Sequence, residues 1–172
     1  GRATRVLARR TRASGPLDAP TAAAFLDEHH LWGAAPRARY NVGLHRVDDG
    51  ALVAVAAFSA RRGVARAGER YRSFELLRFC SARDAAVVGG LSKLISHFAR
   101  AHAPVDDIVT VVDRDWGPAS WGAGGFAPVQ RMPPLPVAVS RDGGARHHLV
   151  GRGGGGGGGD GGRRRLPEDV EA

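Results

Sequence analysis

The chain contains a single cysteine, Cys80, so an intramolecular disulfide and a zinc site built on several cysteines are both excluded. Its longest apolar run, Ala51 to Phe58, is far too short to cross a bilayer as a helix, and no membrane association is expected. Lysine is almost absent: Lys93 is the only one among 25 basic residues. No G-x-S-x-G, Walker A or H-E-x-x-H pattern occurs, which removes the signatures of a hydrolase elbow, a P-loop and a zinc protease. No serine or cysteine stands out as a nucleophile, since Cys80 lies in an apolar strand where a buried, inert thiol is the ordinary outcome. The histidines lack partners at metal-ligand spacing, so no metal centre is expected.

What is present suits one folded domain. A chain of 172 residues with 43% hydrophobic and 24% charged residues can bury a real core, but is too short for two domains and linkers. The formal net charge is +8, of which +7 falls on residues 1–140. Such basicity suits a polyanionic partner. The arginine skew beside heavy alanine and glycine also fits biased codon composition, which accounts for part of the load.

The chain begins at Gly1 rather than methionine, which reads as a processed product or a fragment. Its first 17 residues carry Arg2, Arg5, Arg9, Arg10 and Arg12 without an acid, as an arginine-rich presequence does. From Gly151 to Gly162, ten of twelve residues are glycine, so residues 151–172 read as a disordered tail behind a domain over residues 4–150. Within that domain, Thr4 to Arg10 reads as a strand. Asp18 and Pro20 start a helix that runs to about His29. Tyr40 to Arg46 and Ala51 to Ser59 read as a hairpin about Asp48-Asp49-Gly50. Residues 60–72, with five arginines against one acid, read as a mobile loop. Ser73 to Cys80 is a strand, Val88 to His102 a helix on the spacing of Leu91, Leu94, Ile95 and Phe98, and Asp107 to Val112 a buried central strand. A short helix at Ala119 to Ala123 and strands at Phe126 to Gln130 and Leu135 to Ser140 complete the order. The result is a mixed α/β sheet flanked by helices, with residues 73–113 as a βαβ crossover between neighbouring parallel strands.

That order is the order of the GNAT acyltransferase fold. VLARRTR (6–12), FLDEHHLWG (25–33), YNVGLHRVDDGALVAVAAFS (40–59), FELLRFCS (74–81), VVGGLSKLISHF (87–98), VVDRDWG (111–117) and GAGGF (122–126) go further. Together they resemble a GNAT-like domain found in phages beside homing-endonuclease modules and related to Mom-type DNA adenine modification proteins. The likeness covers roughly residues 4–138 and implies that VLARRTR is the first strand rather than a presequence. It implies an intracellular acyl-CoA-dependent N-acyltransferase-like domain that modifies a DNA base, with acetyl-CoA or a related acyl-CoA as donor. The alternative is a non-catalytic DNA-binding accessory domain of a homing-endonuclease-type protein; a decayed phage gene and a small-amine acetyltransferase also stay open. Two features depart from the family: no cysteine lies near Arg10 or Thr11, and Trp121 stands where a tyrosine is expected. Tryptophan has no hydroxyl with which to protonate a departing thiolate.

The candidate residues follow. Val88, Gly89, Gly90, Leu91, Ser92 and Lys93 lie between a strand and a helix start, where glycines let a phosphate approach free amides. The resemblance puts the coenzyme A pyrophosphate there, although no Arg or Gln lies three residues before Gly89. Glu75 and Arg78, three apart on one strand, are expected on opposite faces, with Glu75 the candidate base. His30 falls in the family's "HL.G" segment and is a candidate catalytic residue. Asp113, Arg114 and Trp116 follow the buried strand, in the place where α/β sheets bind ligands. There Asp113 can handle a base amine, Arg114 a phosphate and Trp116 a stacked base. Arg61, Arg62, Arg70 and Arg78 join Arg114 and Trp116 as the expected nucleic-acid contacts.

Overall fold

A computed structural model describes residues 3–112, 121–122, 124–133, 137–140, 146–148 and 170–171. The chain divides into two units, Gly1–Ala127 and Pro128–Ala172. Within the first unit the elements are β1 (Thr4–Leu7), a 3-10 turn (Ala8–Arg10), β2 (Thr11–Ser14), α1 (Ala19–His29), β3 (Tyr40–Arg46) and β4 (Leu52–Phe58). These are followed by β5 (Arg62–Arg66), β6 (Glu69–Ser81), β7 (Ala85–Val88), α2 (Gly90–Ala101) and β8 (Asp107–Val109).

Local chemistry accounts for most of these boundaries. The Asp18 carboxylate accepts the Thr21 amide at 2.8 Å and Pro20 sits in the first turn, so α1 starts where its capping residues say it should. β3 and β4 pair antiparallel around the Asp-Asp-Gly turn, with Gly50 at φ 71°. The expected strand over Thr4–Arg10 stops at Leu7: Ala8–Arg10 form the 3-10 turn, and β2 follows it from Thr11. The break lets the two strands serve different sheets: β1 pairs parallel with β7, and β2 pairs antiparallel with β3.

The main sheet runs β2-β3-β4-β6-β5, with β8 also on β6. The Glu75 carbonyl accepts the Ser59 amide and its own amide donates to Ser59 Oγ, whereas the carbonyls of Arg72 and Leu76 accept from Asp106 N–H and Thr110 Oγ1. Backbone groups alternate edges along a strand, so β4 and β5 share one edge of β6 and β8 takes the other. β8 is parallel to β6 and joined to it through α2, as the βαβ expectation required. It is shorter than expected and only half-buried, however, and it pairs with β6 alone among the described residues.

Residues 60–72 are not a loop. β5 and the start of β6 form a hairpin closed by Ala67 (φ 49°) and Gly68 (φ 85°), the backbone signs of a tight two-residue hairpin turn. Three of its arginines bind acids: Arg62 with Glu75, Arg66 with Asp107, and Arg72 with both oxygens of Asp106 at 2.6 and 2.8 Å. The Arg72 contacts hold the Asp106 carboxyl down to about 2.

The core lies between the sheet and its helices. Phe98 of α2 stacks on Phe58 with centroids 3.8 Å apart and meets Phe74 edge-on at 5.1 Å, so 58 and 74 face α2. Ala22, Phe25 and Leu26 of α1 are buried in the same core. The segment expected as a strand at Phe126 to Gln130 forms none.

In the second unit, β9 (Val137–Ser140) pairs antiparallel with β10 (Arg146–His148) and with β11 (Val170–Glu171). The rest of the expected tail, residues 151–169 and Ala172, lies outside the described residues, as do Ala119, Ser120 and Ala123 of the expected short helix and Leu135 and Pro136 ahead of β9.

Candidate functional site

The site forms where β6 kinks. β4 and β6 pair Ala57 with Arg78 but Phe58 with Leu76, so Leu77 is an extra residue on β6, a β-bulge. The bulge shifts side-chain parity by one. Leu76 keeps the face of Phe58, toward α2, while Glu75 and Arg78 both take the opposite face. The expectation that 75 and 78 point apart is therefore corrected: it assumed an unbroken alternation that the bulge removes. The Arg78 guanidinium donates to the carbonyl of the bulged Leu77 at 2.8 Å and to that of Gly33 at 3.3 Å. Half-burial lowers its pKa, and the Glu75 carboxylate opposes that shift.

Glu75 is fixed from two directions. Its amide donates to Ser59 Oγ at 3.0 Å, and its Oε2 lies 3.1 Å from Arg62 Nη1. On the other edge of β6, pairing with β8 ends at Glu75–Val109, and the Thr110 hydroxyl closes onto the Leu76 carbonyl at 2.9 Å. β6 runs on to Ser81 with no described strand beside it on that edge. The described ladder between the two parallel strands thus ends beside the bulge.

His30 belongs to the same cluster. The segment after α1 folds back tightly: Ala34 N–H donates to Asp27 Oδ1 at 2.7 Å, and Gly33 adopts φ 62°, with Asp27 Oδ1 only 2.7 Å from where a Cβ would stand. His30 Nδ1 accepts the Trp32 amide at 3.0 Å. Burial first, and the nearby Arg78 second, lower the His30 pKa to about 4. The ring is therefore neutral near pH 7, with its proton on Nε2. It can donate a hydrogen bond from Nε2 and is poorly suited to act as a base. Gly33, its anchor Asp27 and Ser59 carried no signal in the sequence beyond the "HL.G" pattern.

A separate candidate feature is the start of α2. Gly89 caps the helix at φ 76°, and no side chain caps the helix N-terminus. Gly90 is buried, and a Cβ on it would lie 2.9 Å from Val87 Cγ1 and 3.4 Å from Leu44 Cδ1. These two positions need glycine for different reasons, one for backbone sign and one for space. Val88 is exposed before them, while Leu91 and Ser92 are half-buried after them. The Lys93 ammonium points elsewhere: it donates to the carbonyls of Ala8, at 2.8 Å, and Thr11, fastening the 3-10 turn against α2. Any anion at this helix start would meet main-chain amides rather than Lys93.

The remaining candidates do not join the cluster. Arg61 and Arg70 lie on the hairpin without an ion pair among the described residues. Asp113, Arg114 and Trp116 lie outside the described residues. Trp121 is half-buried, packed edge-on against Phe126 at 5.6 Å in a turn closed by the Trp121 carbonyl. Cys80 is half-buried and its thiol is pushed up to about 12 by burial, which fits the inert reading. No group of metal-ligating side chains occurs among the described residues, and no described helix is long and apolar enough to cross a membrane.

No family model and no curated protein matches the sequence. Solved structures do. A candidate acetyltransferase from Deinococcus radiodurans R1 superposes with a TM-score of 0.51 at 14% identity, over 74% of this chain and 89% of that one. A tetramutant of a Bacillus halodurans protein gives a TM-score of 0.46 at 15% identity, over 59% and 67%. An aminoglycoside N-acetyltransferase solved in complex with CoA gives 0.42 at 15% identity, over 56% and 75%. At these identities the likeness is one of fold, and the Deinococcus structure carries it. The chain has the mixed α/β fold of GNAT-type acetyltransferases.

Proposed function

We propose that this chain is an acyl-CoA-dependent N-acyltransferase domain whose acceptor is an amine of a nucleic-acid base. The observation that carries the reading is the start of α2, which opens on Gly89 and Gly90 without a side-chain cap; the bulge on β6, which sets Glu75 and Arg78 on one face, supplies the candidate acceptor side. The fit to coenzyme A rests on that helix start. Its first amides have no side-chain cap, and a Cβ at Gly90 would have to displace Val87. Gly89, Gly90, Leu91 and Ser92 would hold the phosphates through main-chain amides. When bound, an acyl-CoA thioester supplies an activated acyl group.

The chain's own residues supply the rest. Glu75 accepts the proton that the acceptor amine loses, its carboxylate held on the bulge by Arg62. Arg78 and the neutral His30, donating from Nε2, orient the acceptor on the same face. The family resemblance and the basic charge of residues 1–140 support a nucleic-acid acceptor. A base in duplex DNA would have to leave the stack to reach Glu75.

A second reading is a DNA-binding domain without turnover, favoured by Trp121, which cannot serve as an acid. The test is direct. The full chain is incubated with acetyl-CoA and DNA, the DNA is digested to nucleosides, and their masses are measured. One nucleoside is expected to gain the mass of an acetyl group. Unmodified nucleosides, with acetyl transferred instead to a free small amine, would contradict the nucleic-acid acceptor.

A further inference from the structure

Basic residues make up a large share of this sequence, but the structure spends many of them. Arg62, Arg66 and Arg72 are neutralised by Glu75, Asp107 and Asp106, and Arg46 is bound by Asp49. The arginine-rich hairpin is therefore tied to Glu75, Asp106 and Asp107 by its own charges, and among the described residues only its Arg61 and Arg70 are without an ion pair, beside Glu69. The N-terminal segment is the opposite case. Arg5, Arg9, Arg10 and Arg12 are all exposed, none has an ion pair or side-chain hydrogen bond among the described residues, and residues 3–14 contain no acid. The fold explains why they face outward. Val6 and Thr11 are buried, so alternation turns Arg5 and Arg12 to solvent, while the 3-10 turn presents Arg9 and Arg10. Asp48 lines an open hollow with Arg9 and Arg10 and lies 3.9 Å from Arg46.

The turn that carries Arg9 and Arg10 is also anchored beside the proposed coenzyme A site. Lys93 of α2 donates to the Ala8 carbonyl, and Ala8 Cβ lies 3.4 Å from where a Cβ on Gly89 would stand. The only lysine of the chain thus fixes the arginine-bearing turn to the start of α2.

We propose that Arg5, Arg9, Arg10 and Arg12 form the surface that grips the phosphate backbone of a nucleic acid, and that the arginine hairpin does not. The inference rests on the nucleic-acid reading above and says which surface does the gripping. Unpaired, exposed guanidinium groups release condensed counterions when they meet phosphates, whereas arginines already held by carboxylates gain little from doing so.

The test is fluorescence anisotropy of the full chain with a labelled DNA duplex of about 20 base pairs, over a salt series. Changing Arg5, Arg9, Arg10 and Arg12 together to glutamine is expected to weaken binding by about 10²–10³-fold near roughly 0.1 M salt and to flatten the log–log salt slope by about 3. Changing the same four to lysine should retain most of the binding and the slope, because the charge remains. Changing Arg61 and Arg70 to glutamine should have the smaller effect. Melting temperatures confirm that each variant is folded. If the glutamine variant binds like the native chain while the Arg61 and Arg70 variant loses binding, the assignment is overturned and the nucleic-acid reading survives. If the native chain does not bind the duplex at all, the nucleic-acid reading itself fails, and this inference with it.

Discussion

Replacing Glu75 with glutamine is expected to slow acyl transfer by about 10²–10⁴-fold with little change in melting temperature. The geometry argues for both halves of that result. Glutamine has nearly the shape of glutamate, so the amide contact to Ser59 Oγ at 3.0 Å and the packing of β6 survive the change. What is lost is the carboxylate that the bulge sets on the same face as Arg78, which in turn neighbours His30. His30 cannot take over. Its Nδ1 is occupied by the Trp32 amide and its pKa is lowered to about 4, chiefly by burial. Transfer at the native rate by the variant would remove Glu75 from the role of base. A matching loss of stability would make its role structural.

Replacing Phe98 with alanine is expected to be the most damaging single change to the fold, at about 3–5 kcal/mol. Phe98 is fully buried and joins the elements that frame the site. Its ring stacks on Phe58 of β4 at 3.8 Å, meets Phe74 of β6 at 5.1 Å, and lies 5.9 Å from Tyr40 of β3 and 4.5 Å from His102. Removing it leaves a cavity whose walls are three different strands, which cannot all close in at once. Set against a typical domain stability of about 5–15 kcal/mol, the loss is a large fraction of the whole. Urea denaturation measures it through the midpoint. A cost below about 1 kcal/mol would mean that α2 is held to the sheet by something other than this aromatic cluster.

Much of this fold is readable in the residues, and the failures share a cause. α1 announces itself with Asp18 and Pro20, the β3–β4 hairpin with Asp-Asp-Gly, and α2 with the spacing of Leu94 and Phe98, the two side chains it buries most deeply. In each case the signal is local. The β5 hairpin has no such signal. It extends past the core, so neither face needs an apolar stripe, and its charges are balanced by Asp106 and Asp107, some forty residues away. Its turn begins on Ala67, a residue that does not normally mark positive φ. The break at Ala8–Arg10 is equally silent, because it serves a parallel pairing with β7 that only the folded sheet reveals.

The site was legible residue by residue but not as a cluster. Glu75, Arg78 and His30 each stood out, yet an unbroken strand would have set the first two apart. One extra residue, Leu77, brings them to one face, and nothing about a leucine within an apolar strand advertises a bulge. The glycines at 89 and 90 were readable as a place for phosphate, whereas the fate of Lys93 was not. Its partners are main-chain carbonyls more than eighty residues earlier, and main-chain atoms leave no trace in a sequence.

The central claim is that the glycine-led start of α2 is an acyl-CoA site, and calorimetric titration of acetyl-CoA into the full chain tests it most directly. Gly89→Asp is the matched control. Aspartate is among the side chains that best tolerate the left-handed φ of 76°, and its charge would oppose phosphates at the helix start. Saturable binding at roughly micromolar affinity by the native chain, lost in a folded Gly89→Asp variant, is the predicted result. A native chain that takes up no heat with acetyl-CoA, or a variant that binds it equally well, would contradict the assignment.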